Sequence, residues 1–220
     1  MGSMIEFKRP DGQTSPGYLA QAENAKGNIV VLQEWWGLND QIKKTADRFA
    51  QAGFNALVPD LYRGRLASDQ DEASHMMNGL DFMDAALQDV RGAVLHLKHG
   101  GGKTAVGGFC MGGALTIIAG VKVPECDAAV CYYGIPPKEA ADPAQMKVPF
   151  LAHFATQDDW CTPEAVAQLR RDMQGVSTPV DIHEYEGHHA FFNEARPEVF
   201  NRNAAELSWD RTISFLERTL

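Results

Sequence analysis

The run Gly108-Phe109-Cys110-Met111-Gly112-Gly113 constrains this 220-residue chain more than any other segment. Residues 103–108, at its entrance, are short, β-branched and apolar, which predicts a buried strand; residues 114–120 after it read as a core helix. A strand that turns directly into a helix puts the intervening residue on a sharp, strained bend. Only residues without a Cβ let strand and helix pass that closely, and glycines frame Cys110 on both sides. The same turn aims the N-terminus of the new helix at the sulfur, which favours a thiolate and a developing oxyanion. The pattern is that of a nucleophile elbow with cysteine at its tip.

The rest of the chain alternates strand and helix. Residues 4–8 and 17–22 predict a hairpin around Pro10-Asp11-Gly12, followed by strands at 28–33, 55–58, 127–133, 148–155 and 180–185. Helices are expected at 40–52, capped by Asn39 and ended by Gly53, and at 81–99, 163–173 and 204–218. Residues 60–79 are polar with weak periodicity and read as a loop or partial helix over the carboxyl edge of the sheet. This alternation implies an α/β fold with a mostly parallel sheet, helices on both faces and an N-terminal β-hairpin. Residues 1–3 read as an expression scar and residues 4–220 as one domain.

Composition narrows the function. With 45% hydrophobic residues the chain can bury one sizeable core, and a net charge of −9 argues against nucleic acid or an anionic membrane surface as partner. No apolar run approaches the length of a membrane helix. The four cysteines lack framework spacing, and no C-x-x-C pair or His/Cys cluster suggests zinc. A reduced, cytoplasmic, monomeric enzyme is the expectation.

A thiol with a reference pKa of about 8.5 needs a base or cation nearby to act as a nucleophile at neutral pH. An elbow of this kind is followed in chain order by an acid and then a histidine, each at the end of a later strand. Asp158 and Asp159 follow the strand ending at Ala155, and either can orient an imidazole while the other caps the turn before Pro163. His188 and His189 follow the last strand. His75, His96, His99, His153 and His183 lie on helices, a loop or strands without comparable context and read as structural.

With these residues placed, the chain resembles the dienelactone hydrolase (carboxymethylenebutenolidase) family nearly end to end. The anchors are Val31-Leu32-Gln33-Glu34-Trp35-Trp36-Gly37, Val58-Pro59-Asp60-Leu61-Tyr62, Gly108 to Gly113, and His189-Ala190-Phe191. The resemblance implies an α/β-hydrolase fold, a Cys-Asp-His triad and no cofactor. It matches Cys110 to the nucleophile and His189 to the base, since the family's histidine precedes a small residue and a phenylalanine. Glu34 matches a buried glutamate that contacts the cysteine. The oxyanion hole falls to the backbone N–H groups of Met111 and Trp35.

Two departures bear on the substrate. The resemblance implies an arginine four residues after the catalytic histidine, where this chain has Asn193, and another within a stretch like residues 71–75, where it has none. Arg63 and Arg65 are the nearest replacements. Trp35, Trp36, Tyr62, Trp160 and Phe191 are expected to wall a pocket for a small-molecule ester or lactone, although adjacent Trp35 and Trp36 cannot both point inward. Loss of the arginines favours, as an alternative, a carboxylesterase or thioesterase acting on neutral substrates. An alternative of another class is a redox-sensing thiol protein built on Cys110.

Overall fold

A computed structural model describes all 220 residues. The strands are β1 (Ser3–Lys8), β2 (Thr14–Ala20), β3 (Gly27–Leu32), β4 (Phe54–Pro59), β5 (Thr104–Phe109), β6 (Ala128–Tyr132), β7 (Phe150–Gln157) and β8 (Val180–His188). Every residue of β3, β5 and β6 is buried, as strands covered on both faces must be. They form one eight-stranded sheet in the order β1-β2-β4-β3-β5-β6-β7-β8. The expected hairpin β1–β2 joins β4 antiparallel, and all other neighbours are parallel.

Helices α1 (Asp40–Gln51) and α7 (Arg202–Thr219) cover one face of the sheet, burying Ile42, Phe49, Trp209 and Phe215 against Ile29, Val31 and Val130. On the other face pack α4 (Arg91–His99), α5 (Met111–Lys122) and α6 (Pro163–Asp172), with Val94, Leu115, Ile118 and Leu169 in a second core. Asn39 caps α1 as expected, its side chain accepting the Ile42 N–H. No helix is long and apolar enough to cross a membrane.

Within residues 60–79 the partial helix is α2 (Gln70–Asn78), capped by Asp69. Two segments differ from the expectation. The single helix expected at 81–99 is interrupted: a short α3 (Phe82–Asp84) passes through a π-helical stretch (Ala85–Val90) before α4. The widened turn carries Asp89, which is 2% exposed and receives Arg63 through two hydrogen bonds of 2.8 and 3.0 Å. A buried carboxylate demands such a partner, and apolar periodicity carries no trace of it. Strand β8 also runs past Tyr185, because its register against β7 slips between Ala155 and Gln157 and Gln157 then pairs with His188.

Gly112 packs against the end of β3, and a Cβ there would lie 2.6 Å from the carbonyl oxygens of Leu32 and Gln33. Gly-to-Ala substitution ordinarily favours a helix by roughly 0.5–1 kcal/mol. Here the sign reverses: Gly112→Ala should lower the stability measured by urea unfolding by about 1–3 kcal/mol, the range for overpacking against backbone.

Candidate active site

Strand β5 delivers the chain to Cys110, whose φ of 56° and ψ of −117° lie in a strained region for a residue with a Cβ. Its N–H donates to the Tyr132 carbonyl at 3.0 Å, and its own carbonyl accepts the Ala114 N–H at 3.1 Å. The close approach is real. A Cβ on Gly108 would strike the Gly112 backbone, and one on Gly134 would strike the Cys110 carbonyl. The half-buried cysteine thus sits at the N-terminus of α5. Met111 opens that helix, so its N–H is among those helical geometry leaves without an intrahelical partner. The Trp35 N–H, just beyond β3, makes no hydrogen bond within the protein.

Of the two aspartates, the structure brings Asp158 to the histidine. Its side chain is fully buried, and Oδ2 accepts a hydrogen bond from His189 Nδ1 at 2.8 Å. Oδ1 accepts the N–H groups of Trp160 and Cys161 at 2.7 and 2.9 Å. Asp159 is exposed and bonds neither histidine. His188 lies at the exposed end of β8, with Nδ1 3.1 Å from the Gln157 carbonyl. The bulge between β7 and β8 accounts for this division, since it leaves His188 in the ladder and sends His189 over the carboxyl edge.

The charges follow from this packing. Burial works to raise the Asp158 pKa, but the hydrogen bond and charge of His189 with the two N–H donors hold it below the usual value. Burial works to lower that of His189, yet Asp158 and the Cys110 sulfur outweigh it and push the imidazole up to about 10. His189 Nε2 is buried and has no hydrogen-bond partner in the protein.

Glu34, 5% exposed, does not bond Cys110. Tyr133 donates to its Oε1 at 3.1 Å and Asn193 to its Oε2 at 2.7 Å. Burial raises its pKa against the pull of these donors and of His189 and Arg196. Asn193 is therefore a buried partner of Glu34, 2% exposed. Tyr133 stands edge-on to His189 with ring centroids 5.1 Å apart.

These groups face a cavity of about 440 Å³. Cys110, His189, Glu34, Trp35, Met111, Trp160 and Asp159 all line it. Three of the four non-glycine residues with positive φ in the chain also do so: Cys110, Tyr133 and Ala190. Backbone strain is thus gathered at this cavity. The walls include Met77 and Phe82 from α2 and α3, and Ile135 from the loop after β6. Sequence periodicity had marked none of these three.

Other expected wall residues stand elsewhere. Phe191 is fully buried beneath the site, packed on Tyr133 and Tyr185. Tyr62 is 8% exposed and directs its hydroxyl to Met111 Sδ at 3.3 Å, supporting the elbow from behind. Trp36 lies outside the lining and meets Trp35 edge-to-face at 5.4 Å, so one tryptophan of the pair points inward as anticipated. Arg63 is absorbed by Asp89, Ser15 and the Asp60 carbonyl, and Arg65 is exposed with no side-chain hydrogen bond. The arginine that lines the cavity is Arg196, which no motif had singled out. No group of three or more His, Cys, Asp or Glu side chains is arranged to hold a metal ion.

A base held above its free value of about 6.5 stabilises the fold fully below that pH, and the contribution is lost as pH rises through its folded value. For His189 that loss falls between neutrality and about 10. Nitrogen-15 NMR should find the ring doubly protonated at pH 7, and Asp158→Asn should lower the midpoint by about one unit or more. A wild-type midpoint near 6.5 would contradict the assignment of its partners.

The sequence matches the dienelactone hydrolase family over residues 16–220. It is 33% identical to protein usf of Aquifex pyrophilus, the alignment covering 100% of both chains. It is 28% identical to the carboxymethylenebutenolidase of Pseudomonas putida, over 96% of this chain and 94% of that one. Among solved structures, a dienelactone hydrolase-like promiscuous phosphotriesterase from metagenomic libraries superposes with a TM-score of 0.86 at 20% identity, covering 99% of this chain and 98% of that one.

Proposed function

Since this chain belongs to the dienelactone hydrolase family and is a hydrolase of that kind, we propose that it cleaves a small-molecule ester or lactone through Cys110, His189 and Asp158. The observation that carries the reading is the 2.8 Å bond from His189 to buried Asp158, set beside a cysteine at a strained strand-to-helix turn. Cys110 Sγ attacks the carbonyl carbon. The oxyanion that forms is held by the N–H groups of Met111 and Trp35. On collapse the carbon–oxygen bond breaks, and His189 gives its Nε2 proton to the leaving oxygen. Water then attacks the acyl-thioester, returning a proton to His189 and releasing the Cys110 thiolate. In a lactone the leaving hydroxyl stays tethered to the acyl group, which favours rapid proton delivery.

Asp158 holds the imidazole with Nδ1 protonated and stabilises its charge. Glu34 acts as a positioning acid through Tyr133 and Asn193. A reduced, cytoplasmic setting suits this chemistry, since all four cysteines are free.

The test is kcat/KM on dienelactone and on p-nitrophenyl acetate. Cys110→Ala should abolish turnover of whichever ester is cleaved. Asp158→Asn should lower kcat by roughly 10³–10⁴, the loss that follows a misplaced imidazole tautomer. Asp159→Asn should change it by no more than about threefold, as befits a carboxylate that touches neither histidine. Comparable losses at both aspartates would refute the assignment.

A further inference from the structure

Of the five large apolar side chains that stand exposed, Trp160 alone lines the cavity that holds Cys110 and His189. It is 63% exposed, against the strong burial usual for tryptophan. The ring is nevertheless held. The Trp160 N–H donates to Asp158 Oδ1 at 2.7 Å, so the carboxylate that orients His189 through Oδ2 also fixes the backbone that carries the indole. The indole meets the Trp35 ring edge-to-face, with centroids 5.5 Å apart. It lies 6.2 Å, centroid to centroid, from the His189 imidazole.

Proton transfer decides which part of a substrate comes to this ring. The leaving oxygen has to reach His189 Nε2 to take its proton, and Nε2 is buried without a partner in the protein. The group carried by that oxygen then projects past the imidazole. Two aromatic rings flank the imidazole, those of Tyr133 and Trp160. Tyr133 is 1% exposed and commits its hydroxyl to Glu34, so the open side is that of Trp160. Trp35, whose N–H is assigned to the oxyanion, braces the indole. A flat ring laid on this indole gains stacking contact that a saturated group lacks.

We propose that Trp160 selects the leaving group: its indole receives the ring of an aromatic alcohol while Cys110 addresses the carbonyl, so that the site prefers aryl esters to alkyl esters. This assignment rests on the hydrolase reading of Cys110.

The experiment compares phenyl acetate with hexafluoroisopropyl acetate, using wild type, Trp160→Ala and Trp160→Phe. The two esters release alcohols of similar acidity and form the same acetyl-enzyme, so the ratio of their kcat/KM values reports how the leaving group is held. Wild type should favour phenyl acetate. Trp160→Ala keeps the N–H that bonds Asp158 and removes the ring. It should lower kcat/KM on phenyl acetate by about ten- to thirtyfold, the range for one aromatic contact plus burial of a ring face. The loss on hexafluoroisopropyl acetate should be about threefold or less, and Trp160→Phe should recover most of the preference. Equal losses on both acetates would assign Trp160 to holding His189 and overturn the proposal, as would no loss on either or a wild type without the preference.

Saturation-transfer NMR of phenyl acetate on Cys110→Ala, with and without Trp160→Ala, reads the platform apart from turnover. A Kd that rises when the ring is removed supports the platform even where the hydrolase reading fails, and a Kd indifferent to the ring refutes it. Phenyl acetate hydrolysis that survives in Cys110→Ala would overturn the hydrolase reading instead.

Discussion

Everything at the carboxyl edge of the sheet depends on Cys110 being held at a φ of 56° between β5 and α5. That conformation costs free energy in any residue with a Cβ, so the surroundings must over-determine it. They do so with backbone rather than side chains. Gly108 touches Gly112, Gly113 touches Tyr132, and Gly134 touches the Cys110 carbonyl, each at a spacing that leaves no room for one more carbon. The first turn of α5 is thereby locked to the ends of β3 and β6. The sulfur, the helix N-terminus and the Trp35 N–H are consequently fixed relative to one another by covalent geometry and sheet register, with few rotatable bonds between them.

The buried carboxylates added to this frame obey one rule: each is paired. Asp158 spends both oxygens on three donors, and Glu34 spends both on Tyr133 and Asn193. On the far side of the elbow, Asp89 meets Arg63 and Arg9. Three buried side-chain nitrogens are exceptions to such pairing, Arg9 Nε, Gln33 Nε2 and His189 Nε2, and of these His189 faces the cavity. At the cavity an unpartnered buried nitrogen and backbone strain stand side by side.

The elbow, the parallel strands and the place of each catalytic candidate along the chain were legible because they rest on local rules: glycine at a close turn, apolar runs for strands buried on both faces, acid and histidine after later strands. The choice between Asp158 and Asp159 was not. Adjacent residues share every local signal, and they differ only in which carboxylate the β7–β8 bulge and the Trp160 and Cys161 amides enclose. Arg63 shows the converse failure. It directly follows the motif ending at Tyr62, yet a π-helical turn 26 positions along the chain brings Asp89 to claim it. No pattern of hydrophobic spacing encodes that pairing.

The sequence by itself determined the α/β class, the strained cysteine and the identity of the imidazole and carboxylates available to it. Those features follow from steric limits on single residues and from periodicities of two and 3.6, which act over a few positions. Only the tertiary structure decided which aspartate reaches His189, that Glu34 turns to Tyr133 and Asn193 in place of the cysteine, and that Arg196 is the cation facing the cavity. These are contacts between residues up to 159 positions apart. Such distances are set by sheet register and loop packing, and charge and burial there are properties of the assembled fold rather than of any stretch of chain.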